Sequence, residues 1–508
     1  MRLKIALISL YVFENNGTRL IASVLRNAGY EVHEIYFKDY LHHHFEEPTD
    51  LEISRMMGVL REQGIGLVGM SIRAGAYLRV GRQFTRMIQQ ELGLPVIWGG
   101  AHISFDREVC IHDCDYLAVG EAEDTIVELC RRLEAGEDTT DIPGLWVNKG
   151  GTIHRNPIGE LVDNLDRVPF RDYHSTDDKW VIDGKRFSKG DPCLNESVYL
   201  MLSSRGCAFD CKFCDVNIYR QIYKDKGQYF RVRSVDNVIA ELKYAREHFK
   251  NLVRVRFDDE LFPVKSAWVA EFAEAYKREI GLPFEILSDP RVIKDEDIAR
   301  LKDAGLDHVL MGIQASEDVN RRLFGRYHTH ERLVEVSRIL TKHKVRAGYQ
   351  IILDIPETTQ KDSEDLLDLL LAMHRPFDLY SFSLNLWPGT ELTNYYLSKG
   401  LVTENDVAGV CDKTLTQFRV DQTMDRPAFD RLFIALYHLT SKSFVPKSLI
   451  RWMGTQPYLR EHPWPAIVLS ETANFFKLGM LGLSMLRRGE LSWNMFRRFF
   501  NLKAPVSI

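Results

Sequence analysis

Cysteine is scarce in this sequence, with eight residues in a chain of 508. So few thiols cannot form a disulfide scaffold, and three of them lie in one short segment, which favours a reducing compartment and a metal site. The N-terminus has no small-residue cleavage site and leads into a strand–loop–helix pattern. We therefore expect it to form a first buried strand and not a secretory signal.

Long apolar runs are also missing, because every uninterrupted run falls far short of the roughly 20 residues that a membrane-spanning helix needs. The charge is nearly balanced, with 66 Lys and Arg against 71 Asp and Glu. This balance is not typical of a nucleic-acid-binding protein, and we expect no nucleic-acid partner. The sequence predicts a large cytoplasmic protein of about three domains.

Alternating patterns divide the chain into four parts. Residues 1–138 alternate short apolar runs with amphipathic stretches, which predicts a doubly wound, Rossmann-like parallel sheet. Residues 139–195 carry turn signals and predict a linker with a small hairpin. Residues 196–394 supply six further strand–helix units, which predict a partial (β/α)6 TIM-like barrel, and residues 395–508 are mainly helical in pattern. The predicted fold class is α/β.

The segment "SSRGCAFDCKFCDVN" contains Cys207, Cys211 and Cys214 in the spacing C-x3-C-x2-C. A structural zinc site usually has four ligands, and no fourth Cys or His lies nearby in the sequence. A four-iron cluster normally binds four thiolates, so three thiolates leave one iron open to a substrate or cofactor. The alternatives are a zinc site completed by a distant ligand and three unrelated thiols. We favour the cluster because the cysteines follow a predicted strand.

On these residues the sequence resembles the radical SAM superfamily, whose members carry C-x3-C-x-aromatic-C after the first strand of such a barrel. The resemblance implies that Cys207, Cys211 and Cys214 hold a [4Fe-4S] cluster. It also implies that S-adenosylmethionine (SAM) binds at the open iron and is cleaved reductively. An external electron donor of the flavodoxin or ferredoxin type would supply the electron.

Two later segments resemble SAM-binding segments of the superfamily. "RFDDELF" stands where the superfamily often has Gly-Gly-Glu, and it nominates Asp258, Asp259 and Glu260, although two glycines are replaced. "MGIQASE" resembles the segment near the SAM ribose and carboxylate, and it nominates Gln314 and Ser316. The two aspartates could instead cap the following helix.

A doubly wound domain in front of such a barrel resembles the cobalamin-binding radical SAM subfamily. "GMSIRAG", "WGGAH" and "VGEAE" follow the third, fourth and fifth predicted strands. The cobalamin-binding residues that the resemblance nominates are Ser71, Arg73, Gly99, Gly100, Gly120 and Glu121. The motif D-x-H-x-x-G is absent, so the resemblance implies a cobalt ion without a histidine as its lower ligand. Asn15, Arg73 or a water remain open as neighbours of the lower face of the corrin.

Other potential ligands have simpler interpretations. His42–His44 is predicted to be a solvated loop. The remaining cysteines share no spacing with the clustered three, and we expect them to be buried or unreactive. They are Cys110, Cys114, Cys130, Cys193 and Cys411.

The C-terminal part is basic, because residues 441–508 hold ten Lys and Arg against three Glu. Its arginines lie among aromatic and aliphatic residues, a pattern that fits either a cover over the open side of the barrel or a helix on an anionic membrane. We favour the cover and keep peripheral membrane contact as the alternative. The arginines in question are Arg487, Arg488, Arg497 and Arg498.

The sequence therefore predicts a cobalamin-dependent radical SAM enzyme that methylates an unactivated carbon or phosphorus centre of a small or lipid-like molecule. Ring formation or rearrangement is the alternative within the enzyme class. A non-catalytic zinc- or corrinoid-binding regulator is the alternative from another class, and it would contain zinc instead of iron. No catalytic acid or base is identified.

Overall fold

The computed structural model describes residues 2–39, 46–411 and 424–487, which form two compact units. The predicted four-part division of the chain stays a prediction. His42–His44, Trp493, Arg488, Arg497 and Arg498 lie outside the described residues. The first unit comprises Met1–Pro263, Glu274–Leu282 and Leu386–Thr414, and the second comprises Val264–Ala273, Pro283–Asn385 and Leu415–Ile508.

The strands follow the predicted order along the chain. In the first unit they are β1 (Lys4–Leu10), β2 (Glu31–Phe37), β3 (Leu67–Ser71), β4 (Val96–Gly99), β5 (Tyr116–Ala118), β6 (Leu145–Lys149), β7 (Thr152–Arg155), β8 (Lys179–Asp183), β9 (Arg186–Lys189), β10 (Val198–Met201), β11 (Ser204–Arg205), β12 (Arg231–Val232) and β13 (Arg254–Phe257). In the second unit they are β14 (Phe284–Ser288), β15 (Leu306–Gln314), β16 (Arg346–Leu353) and β17 (Phe377–Ser383).

The helices fill the predicted positions between the strands. Those before the second set of strands are α1 (Asn16–Asn27), α2 (Asp50–Glu62), α3 (Leu78–Met87), α4 (Ala101–Phe105), α5 (Arg107–Cys110), α6 (Glu123–Ala135) and α7 (Val216–Ile222). The next are α8 (Val235–His248), α9 (Ser266–Glu279), α10 (Asp295–Ala304), α11 (Glu317–Arg322), α12 (His330–Lys342) and α13 (Gln360–Ala372). The last are α14 (Glu391–Ser398), α15 (Glu404–Cys411), α16 (Ala428–Thr440), α17 (Lys447–Thr455), α18 (Pro457–Glu461) and α19 (Trp464–Arg487).

The large sheet of the first unit has the strand order β7-β6-β5-β4-β3-β1-β2-β8-β9 in the described residues. Strands β1 to β5 are parallel to one another, as the alternating pattern predicts. The linker contributes two hairpins and not one, and they extend opposite edges of this sheet. Both join the sheet because apolar side chains such as Trp146 and Val181 are buried there.

The sheet is buried on both faces, which is typical of a doubly wound fold. Successive side chains of a strand point to opposite faces. Along β1, Ile5 and Leu7 pack into one hydrophobic cluster, whereas Ala6 and Ile8 pack into the other. The carboxyl ends of the parallel strands meet at one edge, where such sheets bind ligands.

The second set of strands is also parallel. Strands β10 and β13 pair within the first unit, and β14, β15, β16 and β17 pair in that order within the second. Helices separate the strands along the chain, so the α/β class predicted from the pattern is confirmed. The described residues after β17 form helices, as predicted, and none of the described helices is both long and apolar enough to cross a membrane.

A buried ion cluster fixes α1 of the first unit to the linker. Arg19 is completely buried and donates to both carboxylate oxygens of Asp191, at 2.6 and 2.9 Å. Lys179 donates to the same carboxylate at 2.7 Å. The rings of Tyr36 and Tyr173 lie 4.7 and 4.4 Å from the guanidinium carbon of Arg19. Two buried cations thus share this carboxylate, and Lys179 also lies 3.4 and 3.6 Å from the carboxylates of Asp172 and Glu34.

We expect Asp191→Asn to lower the free energy of unfolding by about 3–5 kcal/mol, because it removes the carboxylate that pairs with the completely buried Arg19. Urea unfolding of the full chain measures the change. Glu31→Gln is the matched control, since the Glu31–Lys4 pair is partly exposed and such a pair contributes at most about 1 kcal/mol. Equal effects of the two substitutions would contradict the prediction.

Candidate cofactor-binding site

The clustered cysteines lie in the loop between β11 and α7 of the first unit. Gly206, directly before Cys207, has a φ of +80°, and a Cβ atom there would lie 2.6 Å from the carbonyl oxygen of Tyr229. The backbone therefore turns in a conformation that only glycine adopts without strain. This turn positions the start of the cysteine loop.

Side chains of α7 hold the cysteine loop by its backbone. The Asn217 amide donates to the carbonyl oxygen of Cys211 at 2.8 Å. The Arg220 guanidinium donates to the carbonyl oxygen of Phe209 at 3.1 Å and also to that of Cys207. The helix that follows the cysteines thus fixes the loop that carries them.

The thiols have the surroundings of cluster ligands. The backbone N–H of Phe209 lies 3.5 Å from the Cys207 sulfur and donates to it, the type of hydrogen bond that tunes iron–sulfur clusters. Burial raises the pKa of the Cys214 thiol well above its usual value, and the nearby Asp215 and Cys211 raise it further. A metal must therefore displace this proton when it binds.

The spacing of the sulfur atoms argues against a closed zinc site. Zinc–sulfur bonds of about 2.3 Å in a tetrahedron would bring sulfur atoms about 3.8 Å apart. In the described part of the chain, the cysteine trio is not among the groups of three ligands whose atoms all lie within 4.8 Å of one another. The three thiols are therefore not arranged around a single ion in this structure.

Asp259 positions the cysteine loop. Its carboxylate is fully buried and accepts from the backbone N–H groups of Ser203 and Ser204, at 2.8 and 2.6 Å. Both serine hydroxyls donate to it as well, at 2.9 and 2.7 Å. Burial raises its pKa to about 6, although the serine hydrogen bonds act in the opposite direction. Its nomination as a SAM ligand stays a prediction.

Glu260 lies in an acidic recess beside the cysteine loop. Solvent reaches its side chain, yet desolvation by the surrounding protein raises its pKa to about 7. The like charges of Asp259, Asp215 and Asp258 act in the same direction. Because α9 begins only at Ser266, the aspartates do not cap that helix. The recess favours a cationic ligand.

The other two nominated SAM ligands belong to the second unit. Gln314 ends β15 with a φ of +62°, at an irregularity in the pairing with β16. Ser316 is buried, accepts from the backbone N–H of Val319 as the N-cap of α11, and donates to Asp362 at 3.2 Å. A positive φ in a non-glycine residue is typical of functional sites. The cofactor contacts of both residues stay predictions.

The predicted cobalamin loops lie at the carboxyl edge of the large sheet. Ser71 and Gly99 are paired at the ends of β3 and β4, and apart from its chain neighbours no atom of the described residues lies within 4 Å of a Cβ placed at Gly99. Gly100 has a φ of +109°, and a Cβ there would lie 2.8 Å from the Ile72 carbonyl oxygen. The space beside Gly99 therefore allows the close approach of a ligand.

Two polar side chains near this edge remain available. Arg73 is exposed two residues after β3. Asn15 follows β1 and is buried, and its side-chain oxygen caps α1 by accepting from the N–H of Thr18. The Asn15 amide nitrogen has no hydrogen-bond partner among the described residues. An unpaired donor and open space at one sheet edge fit a large polar ligand such as cobalamin.

The space beside Gly120 is filled by Tyr223, which follows α7. A Cβ at Gly120 would lie 2.1 Å from the Tyr223 hydroxyl oxygen. That oxygen accepts from the backbone N–H of Glu121 at 2.5 Å. The missing side chain thus admits part of the cysteine-bearing segment, and a cobalamin contact of Gly120 stays a prediction.

Glu121 joins the sheet edge to the cysteine loop. Its carboxylate accepts from Arg231 at 2.7 and 3.0 Å and pairs with Arg205 at 3.0 Å. Burial alone would raise its pKa, but Arg231 and Arg205 lower it to about 2. Arg205 stands two residues before Cys207 and also pairs with Glu123. The predicted corrinoid loop and the cysteine loop are therefore held together.

Aromatic contacts reinforce this junction. The Tyr219 hydroxyl of α7 donates to the Ala101 carbonyl oxygen at 3.1 Å. The Tyr219 ring packs edge-on against Phe105 of α4, with centroids 5.4 Å apart. Trp387 lies on the other side of Phe105, at 6.3 Å. The helix after Gly100 thus contacts the helix after the cysteines.

Sequence reasoning missed the residues that build this junction. Tyr219, Tyr223 and Arg231 carry no motif, because each acts through a partner about a hundred positions away in the chain. Arg205 lies inside the quoted cysteine segment, where its charge beside the motif was an available signal. The remaining cysteines are buried, as expected, at Cys110, Cys114, Cys130 and Cys193, whereas the Cys411 side chain lies outside the described residues.

Family models match both halves of this junction. The radical SAM superfamily model matches residues 201–370, which include all three clustered cysteines. Residues 201–370 thus form a radical SAM domain. The B12 binding domain model matches residues 5–130, which include the glycine loops of the sheet. The radical SAM domain implies a [4Fe-4S] cluster and SAM, and the B12-binding domain supports cobalamin as a further cofactor.

Two curated proteins that align with 60% or more of this chain are methyltransferases by name. An uncharacterized methyltransferase of Pyrococcus horikoshii is 26% identical over 60% of this chain and 64% of its own length. The bacteriochlorophyllide d C-8(2)-methyltransferase of Chlorobaculum tepidum is 21% identical over 67% of this chain and 70% of its own length. This radical SAM chain thus spans less than two thirds of the Pyrococcus protein.

A solved structure has the same fold. The cobalamin-dependent SAM radical enzyme OxsB, with aqua-cobalamin and SAM bound, superposes with a TM-score of 0.66 at 16% identity. The superposition covers 93% of this chain and 72% of OxsB. The predicted α/β fold of a cobalamin-binding radical SAM protein is therefore confirmed.

We expect Asp259→Asn to reduce the iron bound after anaerobic reconstitution several-fold. Three of the four donors converge on one carboxylate oxygen, and a neutral amide accepts from them more weakly and places its NH₂ group where the Ser203 hydroxyl donates, so the cysteine loop is held less firmly. Iron analysis and the visible absorption of the cluster measure the loss.

Asp258→Asn is the matched control, because Asp258 pairs with Arg256 at the partly exposed neighbouring position. Unchanged iron binding in Asp259→Asn, with the fold intact by circular dichroism, would show that the loop does not depend on this carboxylate.

Proposed function

We propose that the protein is a cobalamin-dependent radical SAM methyltransferase that acts on an unactivated carbon or phosphorus centre. The junction at Glu121 carries the proposal. Glu121 stands at the sheet edge where cobalamin is predicted, and it binds Arg205 and Arg231, which precede and follow the cysteines in the chain. The methyltransferase names of the two relatives support it.

The residues present fit both cofactors. Cys207, Cys211 and Cys214 would hold the cluster, and the glycine loops after β3, β4 and β5 would hold cobalamin. The cluster supplies an electron for reductive SAM cleavage, and cobalamin supplies a carrier for the methyl group. We propose a flavodoxin or ferredoxin as the external electron donor.

The side chains of this chain bind and orient the reactants. Asp259 and Arg220 hold the backbone at the start of the cysteine loop, and Asn217 holds it at Cys211. The acidic recess at Glu260 would attract the ammonium and sulfonium charges of SAM, and a bound cation would lower the raised pKa of Glu260. Glu121 keeps the two cofactor loops at a constant separation.

The substrate class that we propose is an apolar or porphyrin-like molecule. Exposed aromatic and aliphatic side chains on α17, α18 and α19 of the second unit support a role at an apolar surface. One relative acts on a bacteriochlorophyllide, by its name. The exposed side chains are Trp452, Tyr458, Trp464, Val468, Phe475, Phe476, Met480 and Leu483.

Labelled SAM tests the proposed reaction. The anaerobically reconstituted protein, supplied with cobalamin, a reductant and candidate porphyrin or lipid extracts, should move the labelled methyl group from SAM to a product. Mass spectrometry detects the product. Cys207→Ala should abolish transfer and cluster absorption, whereas Cys130→Ala, at a buried thiol of α6, should leave both in place.

Other results would identify the alternatives. Formation of 5′-deoxyadenosine without methyl transfer would indicate ring formation or rearrangement. Zinc in place of iron, with no SAM cleavage, would indicate the non-catalytic regulator and overturn the proposal.

We also propose that the C-terminal helices contact an anionic lipid surface. Phe475 and Trp464 of α19 are 80% and 62% exposed. The opposite side of α19 is buried at Ala466, Ser470 and Ala473. Lys and Arg exceed Glu in residues 441–487, and aromatic rings beside basic side chains are typical of helices at membrane interfaces.

We expect the double variant Phe475→Ser/Trp464→Ser to reduce co-sedimentation with phosphatidylglycerol vesicles several-fold. Tyr327→Ser is the control, because Tyr327 is equally exposed but lies outside these helices. Absence of binding by the unmodified protein would contradict the proposal. Dimerisation through this face, detected by ultracentrifugation, would replace lipid with a second copy of the chain.

A further inference from the structure

Three potential metal ligands lie close together at α4 and α5, outside the cysteine segment. They are His102, Asp106 and Cys110, and one ligand atom of each lies within 4.8 Å of the ligand atoms of the other two. His102 belongs to α4, Cys110 ends α5, and Asp106 lies between the two helices. His102 is the last residue of the quoted segment "WGGAH", but no motif links it to Asp106 or Cys110.

The imidazole of His102 gives a second, independent sign of a ligand. The side chain is only 1% exposed, and its Nε2 atom has no hydrogen-bond partner among the described residues. The nearest oxygen of Asp106 is 4.0 Å away, which is too far for a hydrogen bond. A buried ring nitrogen without a partner is destabilising unless something binds it.

We propose that His102, Asp106 and Cys110 bind one Zn²⁺ ion. Imidazole nitrogen, carboxylate oxygen and thiolate sulfur are the three ligand types that zinc accepts, and the ion needs a four-ligand tetrahedron. Asp106 is 32% exposed and faces solvent, so a water can occupy the fourth position. On binding, the Cys110 thiol becomes a thiolate and its proton leaves to solvent.

The charges around His102, Asp106 and Cys110 are compatible with a bound zinc ion. Burial and the Arg82 guanidinium lower the pKa of His102 to about 4, so the ring is in its neutral, metal-binding form near pH 7. Arg82 donates to Asp113 at 2.7 Å, which offsets its positive charge. The ligand carboxylate of Asp106 adds a further negative charge.

The ion would fix the helix that follows Gly100. Ala101 and Phe105 of α4 contact Tyr219 of the cysteine-bearing segment. A zinc ion that joins α4 to α5 would therefore stiffen the side of the junction that the sheet contributes. The inference does not depend on the proposed methyl transfer.

X-ray absorption at the zinc edge tests the inference in the reconstituted full chain, because iron does not contribute at that energy. After dialysis with zinc and removal of loose metal, we expect about one zinc per chain, with one sulfur and three nitrogen or oxygen ligands. Cys110→Ser and His102→Gln should each weaken zinc affinity by at least about tenfold, and Cys130→Ser should not.

Three results would overturn the inference. The first is that the protein retains no zinc. The second is a zinc shell with three or more sulfurs, which would place the ion on the clustered cysteines. The third is an unchanged zinc affinity in Cys110→Ser. Iron content and circular dichroism show whether each variant is folded. Because Asp106 is partly exposed, Asp106→Asn carries the test if a buried-site variant does not fold.

Discussion

The carboxylate of Glu121 is the interaction on which the arrangement of the first unit depends. It gathers two arginines from opposite sides of the cysteine loop, Arg205 before the thiols and Arg231 after them, at the edge of a sheet formed by a different part of the chain. Hydrogen-bonded ion pairs of low exposure have narrow geometric tolerance. This single side chain therefore links the cysteine loop to the predicted cobalamin loop, which belongs to a separate sequence motif.

Two adjacent acidic residues near the cysteines differ in role. One carboxylate positions the cysteine loop, and the other remains available to a ligand. Asp259 is fully buried and accepts from four donors of Ser203 and Ser204, so it positions the start of the cysteine loop. Glu260, the next residue, is reached by solvent and has a raised pKa. Adjacent carboxylates in one motif thus serve different purposes, because the backbone turns one side chain into the core and the other towards the recess.

The sequence was sufficient to predict the strands, the fold class and the cysteine loop, because short-range patterns specify them. Short apolar runs between amphipathic stretches predict β1 to β5. The spacing of Cys207, Cys211 and Cys214 is likewise a pattern within a few residues. The junction could not be predicted, because Tyr223 lies 102 positions after Glu121 and 103 after Gly120. No sequence motif contains residues from both segments. The two edge hairpins were missed in part because short amphipathic strands resemble loops.

The hydroxyl of Tyr223 sits where a side chain at Gly120 would have to go. Neither position can change alone: a larger residue at 120 collides with the phenol, and a truncated residue at 223 leaves a hole and an unpaired N–H at Glu121. Evolution is therefore expected to alter the two sites as a pair. Covariation between them among homologous sequences would record a physical contact that no local pattern in either segment reveals.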